Sequence, residues 1–181
     1  MRKALPIILF LSIAAACLSG CSDAEIRRTL RRMMGSTVVL PEKVTCVQNG
    51  EVFPMPEELR SKPKLIIFVD STECSSCQVG DFIRYKDLYK ESTAGGLFCL
   101  FPLVSTKKSI YKDIQVLATQ IASEIPIYFD DNSCFEMFNQ FIPEESKYHA
   151  ITVDENNRIV LVGDPIYNET TMKLFHTIFS N

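Results

Sequence analysis

The chain is poor in positive charge and in histidine, and it has neither an internal repeat nor a second paired-cysteine motif. Its 19 basic side chains are outnumbered by 22 acidic ones, for a net charge of −3, so there is no broad basic field to attract nucleic acid. With only two histidines, His149 and His176, and no second Cys-x-x-Cys, it lacks the paired motif of the four-ligand closed site that structural zinc prefers. The lack of repeats and low-complexity stretches excludes a solenoid or an array and leaves one compact unit. The one long apolar run, Ala4 to Leu18, is too short for a comfortable transmembrane helix.

That run follows Arg2 and Lys3 and stops at Leu18-Ser19-Gly20-Cys21, the layout of a secretory signal ending in a bacterial lipobox. Residues 1–20 therefore read as a lipoprotein signal peptide and Cys21 as the lipid-bearing first mature residue. Two or more palmitate-class acyl chains on one cysteine would hold the protein stably at a bilayer. The alternative, an uncleaved apolar anchor, tethers it just the same. Residues 21–34 form the tether, in which Arg27, Arg28, Arg31 and Arg32 precede Gly35. The pattern suits either a short basic helix near lipid headgroups or a solvated spacer. The expected location is the bacterial cell envelope, outside the cytoplasm. In that oxidising setting exposed thiols tend to pair. With Cys17 removed and Cys21 acylated, five cysteines remain, so at least one thiol stays unpaired: Cys46, Cys74, Cys77, Cys99 and Cys134.

Residues 35–181 are long enough for one domain with a proper core. Thr37 to Leu40 reads as extended. Val44 to Val47 faces Glu51 to Phe53 across Asn49-Gly50, a strong hairpin signal. Leu65 to Val69 is a short apolar run suited to the middle of a sheet and leads into Cys74-Ser-Ser-Cys77. Phe82, Ile83, Tyr85, Leu88 and Tyr89 then recur at helical spacing up to Gly95-Gly96, and Leu97 to Val104 is again extended. Ile110, Ile114, Leu117 and Ile121 mark an amphipathic helix, followed by a strand at Pro126 to Phe129. Ser133 and Glu136 have capping-box spacing, with Phe135, Met137, Phe138 and Phe141 expected in the core. Ala150 to Asp154 and Arg158 to Val162 form a second hairpin, and Met172 to Phe179 a final helix. A β hairpin followed by βαβαβαββα implies a mixed central sheet covered on both faces, an α/β sandwich.

An apolar strand that ends at a CxxC opening a helix resembles the redox turn of thioredoxin-like proteins. The closing hairpin, Ile151 to Val160, resembles that of membrane-tethered, extracytoplasmic thiol–disulfide oxidoreductases of this family. The likeness in element order spans roughly Gly35 to Phe179. It implies a thioredoxin-like three-layer sandwich with an N-terminal β-hairpin extension, protein thiols or disulfides outside the cytoplasm as partners, and no cofactor or metal. Two residues between cysteines at a helix start bring the sulfurs within disulfide reach. Orphan amides and the helix dipole favour a thiolate at Cys74, the expected exposed nucleophile, with Cys77 the more buried resolving partner.

Three positions depart from the family pattern. Glu73 precedes the pair where an uncharged residue is usual and, with Asp70 and Asp81, opposes thiolate formation, which favours a reducing pair. Phe68 occupies the place of the family's internal carboxylate. Lys147-Tyr148-His149-Ala150 stands where the loop proline should be, with Pro143 too early and Pro165 too late. His149 could instead shuttle a proton, or join Cys74 and Cys77 around a soft metal. The leading expectation is a lipid-anchored oxidoreductase-like protein cycling Cys74 and Cys77, with Glu73 and His149 as auxiliaries. The competing expectations are a non-catalytic binding lipoprotein, whose CxxC is an inert staple, and a Cys/Cys/His metal carrier. Cys99 is expected as a buried thiol and His176 as structural, and Cys46 and Cys134 remain open as a second bridge.

Overall fold

The structure, a computed structural model, describes residues 23–72, 75–105, 111–121, 123–130 and 132–179. Residues 23–33 are helical (α1). Asn49 and Gly50 both adopt positive φ, 51° and 80°, as a tight primed turn requires, and fold β1 (Thr45–Gln48) back on β2 (Glu51–Pro54). Then come β3 (Lys64–Val69), α2 (Ser75–Asp81), a 3₁₀ turn at Phe82–Tyr85, α3 (Lys86–Gly95) and β4 (Cys99–Ser105). They are followed by α4 (Tyr111–Ile121), β5 (Ile127–Asp130), α5 (Cys134–Phe138), β6 (Ala150–Val153), β7 (Ile159–Val162) and α6 (Glu169–Phe179). Among the described residues no helix is long and apolar enough to cross a membrane.

One seven-stranded sheet runs β2-β1-β5-β4-β3-β6-β7. β3, β4 and β5 are parallel, and antiparallel pairs β1–β5 and β3–β6 flank them. The N-terminal hairpin is thus an edge extension of the main sheet, and β3 lies inside it with every residue buried. Alternation along β3 divides two cores. Leu65, Ile67 and Val69 face the layer of α2, α3, α4 and α6, with Phe82, Leu88, Ala118 and Phe175. Ile66 and Phe68 face the other layer, with Met33, Phe101, Tyr128, Phe135 and Ile151. Phe101 and Tyr128 stack at 4.0 Å between ring centroids on this second face. This is the expected mixed-sheet, three-layer sandwich.

Several local expectations are corrected. In the first extended segment only Thr37 pairs, in an isolated bridge to Arg158. Ser133 sits at φ 51° without capping α5; the Asp130 carboxylate accepts from the Phe135 backbone nitrogen instead, at 2.7 Å. α5 is so short that only Phe135 is buried, and Met137 and Phe138 are exposed. On α4 the buried face runs through Ile114 and Ala118, leaving Ile121 exposed, while Ile110 lies outside the described residues. Ile83 is exposed because the 3₁₀ turn rotates it out of the helical stripe.

Candidate active site

The carboxyl end of β3 delivers Asp70, Ser71 and Thr72 to the start of α2, and two carboxylates shape that turn. Asp70 is buried, and its Oδ1 accepts from both the backbone nitrogen and the hydroxyl of Thr72, each at 2.6 Å. This Asx-type turn folds the chain back on itself. From α5, Glu136 accepts from the Ser71 nitrogen at 2.7 Å and hydroxyl at 3.2 Å. Asp70 thus shapes the turn, and Glu136 takes the role of a clamp that its capping-box spacing had concealed. Asp81 pairs with Arg84 at 3.5 Å on the surface.

Glu73 and Cys74, like Cys21, lie outside the described residues. Cys77 occupies the first turn of α2, is disulfide-bonded, and is exposed. Cys77 is thus exposed while Val79 of the same helix is buried, and the expected comparison of Cys77 with Cys74 lies outside the described residues. Cys46 and Cys99 are free thiols, so Cys46 and Cys134 form no second bridge. Cys46 is buried in β1, and burial pushes its thiol up to about 12 against a hydrogen bond with Tyr128. Cys99 is half-buried rather than buried and opens β4 opposite Lys64, at the far end of the sheet from Cys77. Burial drives its thiol to about 11, with Lys64 and Lys62 pulling the other way.

His149 stands immediately before β6, and its carbonyl accepts from the Phe68 nitrogen at 2.9 Å. Its buried ring packs on Phe68 at 5.2 Å, and Phe68 in turn packs on Phe135 at 4.6 Å. Nε2 lies 2.9 Å from the Pro143 carbonyl oxygen, which can only accept, so Nε2 carries the proton and is occupied. His149 borders two cavities. One of about 250 Å³ includes Phe68, Asp70, Thr72, Glu136 and Pro143. The other, about 620 Å³, lies between β3 and the 3₁₀ turn and includes Val69, Asp81, Phe82, Tyr85 and Asp164. Among the described residues no group of three or more histidine, cysteine or acidic side chains could hold a metal.

The second cavity contains a pair that the sequence did not announce. Tyr85 donates its hydroxyl to the Asp164 carboxylate. Burial raises the Asp164 carboxyl above its ordinary range, while the Tyr85 hydrogen bond and one from the Ile166 backbone pull it down. A carboxyl raised by burial thus borders the cavity that Asp81 of α2 also lines, but it comes from the loop after β7 rather than from β3, where Phe68 stands. Every described peptide bond is trans. Pro143 holds the His149 ring, and Pro165 opens the 3₁₀ turn after Asp164. On α6, His176 pairs with Glu91 at 3.2 Å.

No family model matches the chain, and no curated protein matches it in sequence. Solved structures do share its architecture. A candidate protein disulfide isomerase from Bacteroides thetaiotaomicron superposes with a TM-score of 0.51 at 14% identity, covering 82% of this chain and 91% of that one. Enterococcus faecalis AhpC superposes with a TM-score of 0.51 at 15% identity, covering 81% and 93%. At such identities the likeness is one of fold, and the chain has the thioredoxin-like fold.

Proposed function

We propose that the protein is a lipid-anchored thiol–disulfide oxidoreductase of the bacterial cell envelope, exchanging disulfides with other proteins through Cys74 and Cys77. The observation that carries this reading is the disulfide at an exposed Cys77 in the first turn of α2, while Cys46 and Cys99 are free thiols. Cys74, which immediately precedes Ser75 at the start of α2 and stands at CxxC spacing, is the partner we assign to Cys77. In the reduced protein the Cys74 thiolate attacks a substrate disulfide, forming a mixed disulfide and expelling one substrate thiolate. The Cys77 thiolate then attacks the Cys74 sulfur, releasing the second substrate thiol and closing the Cys74–Cys77 bond. Two electrons pass to the substrate, and a dithiol donor must restore the pair. The anchoring rests on Arg2 and Lys3, the apolar run and Cys21.

Cys77→Ser tests the assignment, because it leaves the first attack intact and removes resolution. Mixed disulfides through Cys74 should accumulate in Cys77→Ser and vanish when Cys74→Ser is added. Full disulfide-reductase activity in Cys74→Ser contradicts exchange at this site. The absence of a loop proline before β6 favours a second reading, a binding lipoprotein that retains the fold. In that case both substitutions leave function intact and no mixed disulfide forms.

A further inference from the structure

We propose that the exposed face of α1 is a docking surface for an anionic membrane, and that it turns the face of the sheet on which α1 packs toward the bilayer. This deepens the lipid-anchored reading, since it supplies orientation where an acyl chain supplies only attachment.

α1 is a built part of the domain. Met33 is fully buried with Phe101, Phe135 and Ile159, and Leu30 packs against the same core. The segment after it is pinned by Gly35 N to Ile159 O at 2.9 Å and by Val38 N to Asn157 O at 2.8 Å. Arg27, Arg28, Arg31 and Arg32 are all exposed. At about 100° per residue they fill an arc of about 140° opposite the face that carries Leu30 and Met33. Asp23 and Glu25 add acidic charge only in the first turn described. On a chain of net charge −3 this is a concentrated basic stripe, and its natural complement is a surface of anionic headgroups. Cys21, the proposed lipid-bearing residue, stands two positions before Asp23, where the helix is first described, so the membrane that takes its acyl chains also meets the stripe.

Leu30 and Met33 seat α1 on the sheet face that carries Ile66 and Phe68. Docking through the opposite side of the helix therefore turns that face of the sandwich toward the headgroups.

The test uses the full chain reconstituted through its N-terminus into vesicles of phosphatidylcholine alone or with phosphatidylglycerol. A water-soluble arginine reagent is mapped by mass, a readout independent of disulfide exchange and of acylation. The four arginines should react about fivefold or more slowly on the anionic vesicles, with protection lost at high salt, while Arg84, exposed on the opposite layer, reacts equally on both. Equal arginine reactivity on both vesicles overturns the proposal. Protection that persists in detergent micelles also overturns it and identifies a second copy as the cover.

Discussion

The Glu136 carboxylate on α5 grips Ser71 twice, at the backbone nitrogen and at the hydroxyl, across 65 residues of sequence. Charge-assisted hydrogen bonds are stronger than neutral ones, and these hold the turn that leads into the cysteine pair.

Glu136→Ala should therefore cost about 1–3 kcal/mol of stability. It should also raise hydrogen exchange at Ser71 and Thr72 more than elsewhere. Glu136→Gln, which keeps one acceptor oxygen, should lose less. Denaturant melts and exchange mass spectrometry check both, and an Ala variant as stable as the parent removes the clamp from the account.

Asp164 gives stability a definite dependence on pH. Its carboxyl binds a proton more tightly in the folded chain than in the unfolded one, because burial raises it from 3.8. Its contribution is then fully present below that value and is lost as pH rises through the folded value. Asp164→Asn cannot titrate, so relative to this variant the parent should lose stability as pH increases through that window. Tyr85→Phe removes the hydrogen bond that lowers the carboxyl and should move the window upward. Thermal melts as a function of pH measure both, and parallel curves for parent and Asp164→Asn contradict the assignment.

The free thiols should differ sharply from Cys77 in reactivity. Alkylation proceeds through the thiolate, and burial holds Cys46 and Cys99 at about 12 and about 11. After gentle reduction at pH near 8, iodoacetamide should modify Cys77 first and reach Cys46 and Cys99 only on unfolding. Mass mapping of the time course checks this; rapid labelling of Cys46 in the folded protein contradicts the burial argument.

The parts legible in the sequence were those fixed by local chemistry. Asn49-Gly50 and the unbroken apolar run of β3 each state their geometry within a few residues, and Asn168 does so for α6 by accepting from the Thr171 nitrogen at 2.9 Å. What was hidden depends on distant partners. Ser133 and Glu136 have the spacing of a local cap, yet Glu136 is taken by Ser71 and the cap is supplied by Asp130. Met137 and Phe138 match a helical core pattern, but α5 is only five residues long and buries one of them, Phe135. Asp164 escaped notice because its partner Tyr85 lies 79 residues earlier, across the sheet. The thioredoxin-like architecture could be read from element order, whereas the groups around His149 could not.

The most direct test is the redox equilibrium of the full chain. Thiols are trapped by alkylation across a glutathione series, and Cys74 and Cys77 modifications are mapped by mass. The account predicts one reversible two-electron transition that opens and closes a Cys74–Cys77 bond while Cys46 and Cys99 stay reduced throughout. A Cys77 disulfide that never opens in the series, or one whose partner is a cysteine other than Cys74, would contradict it.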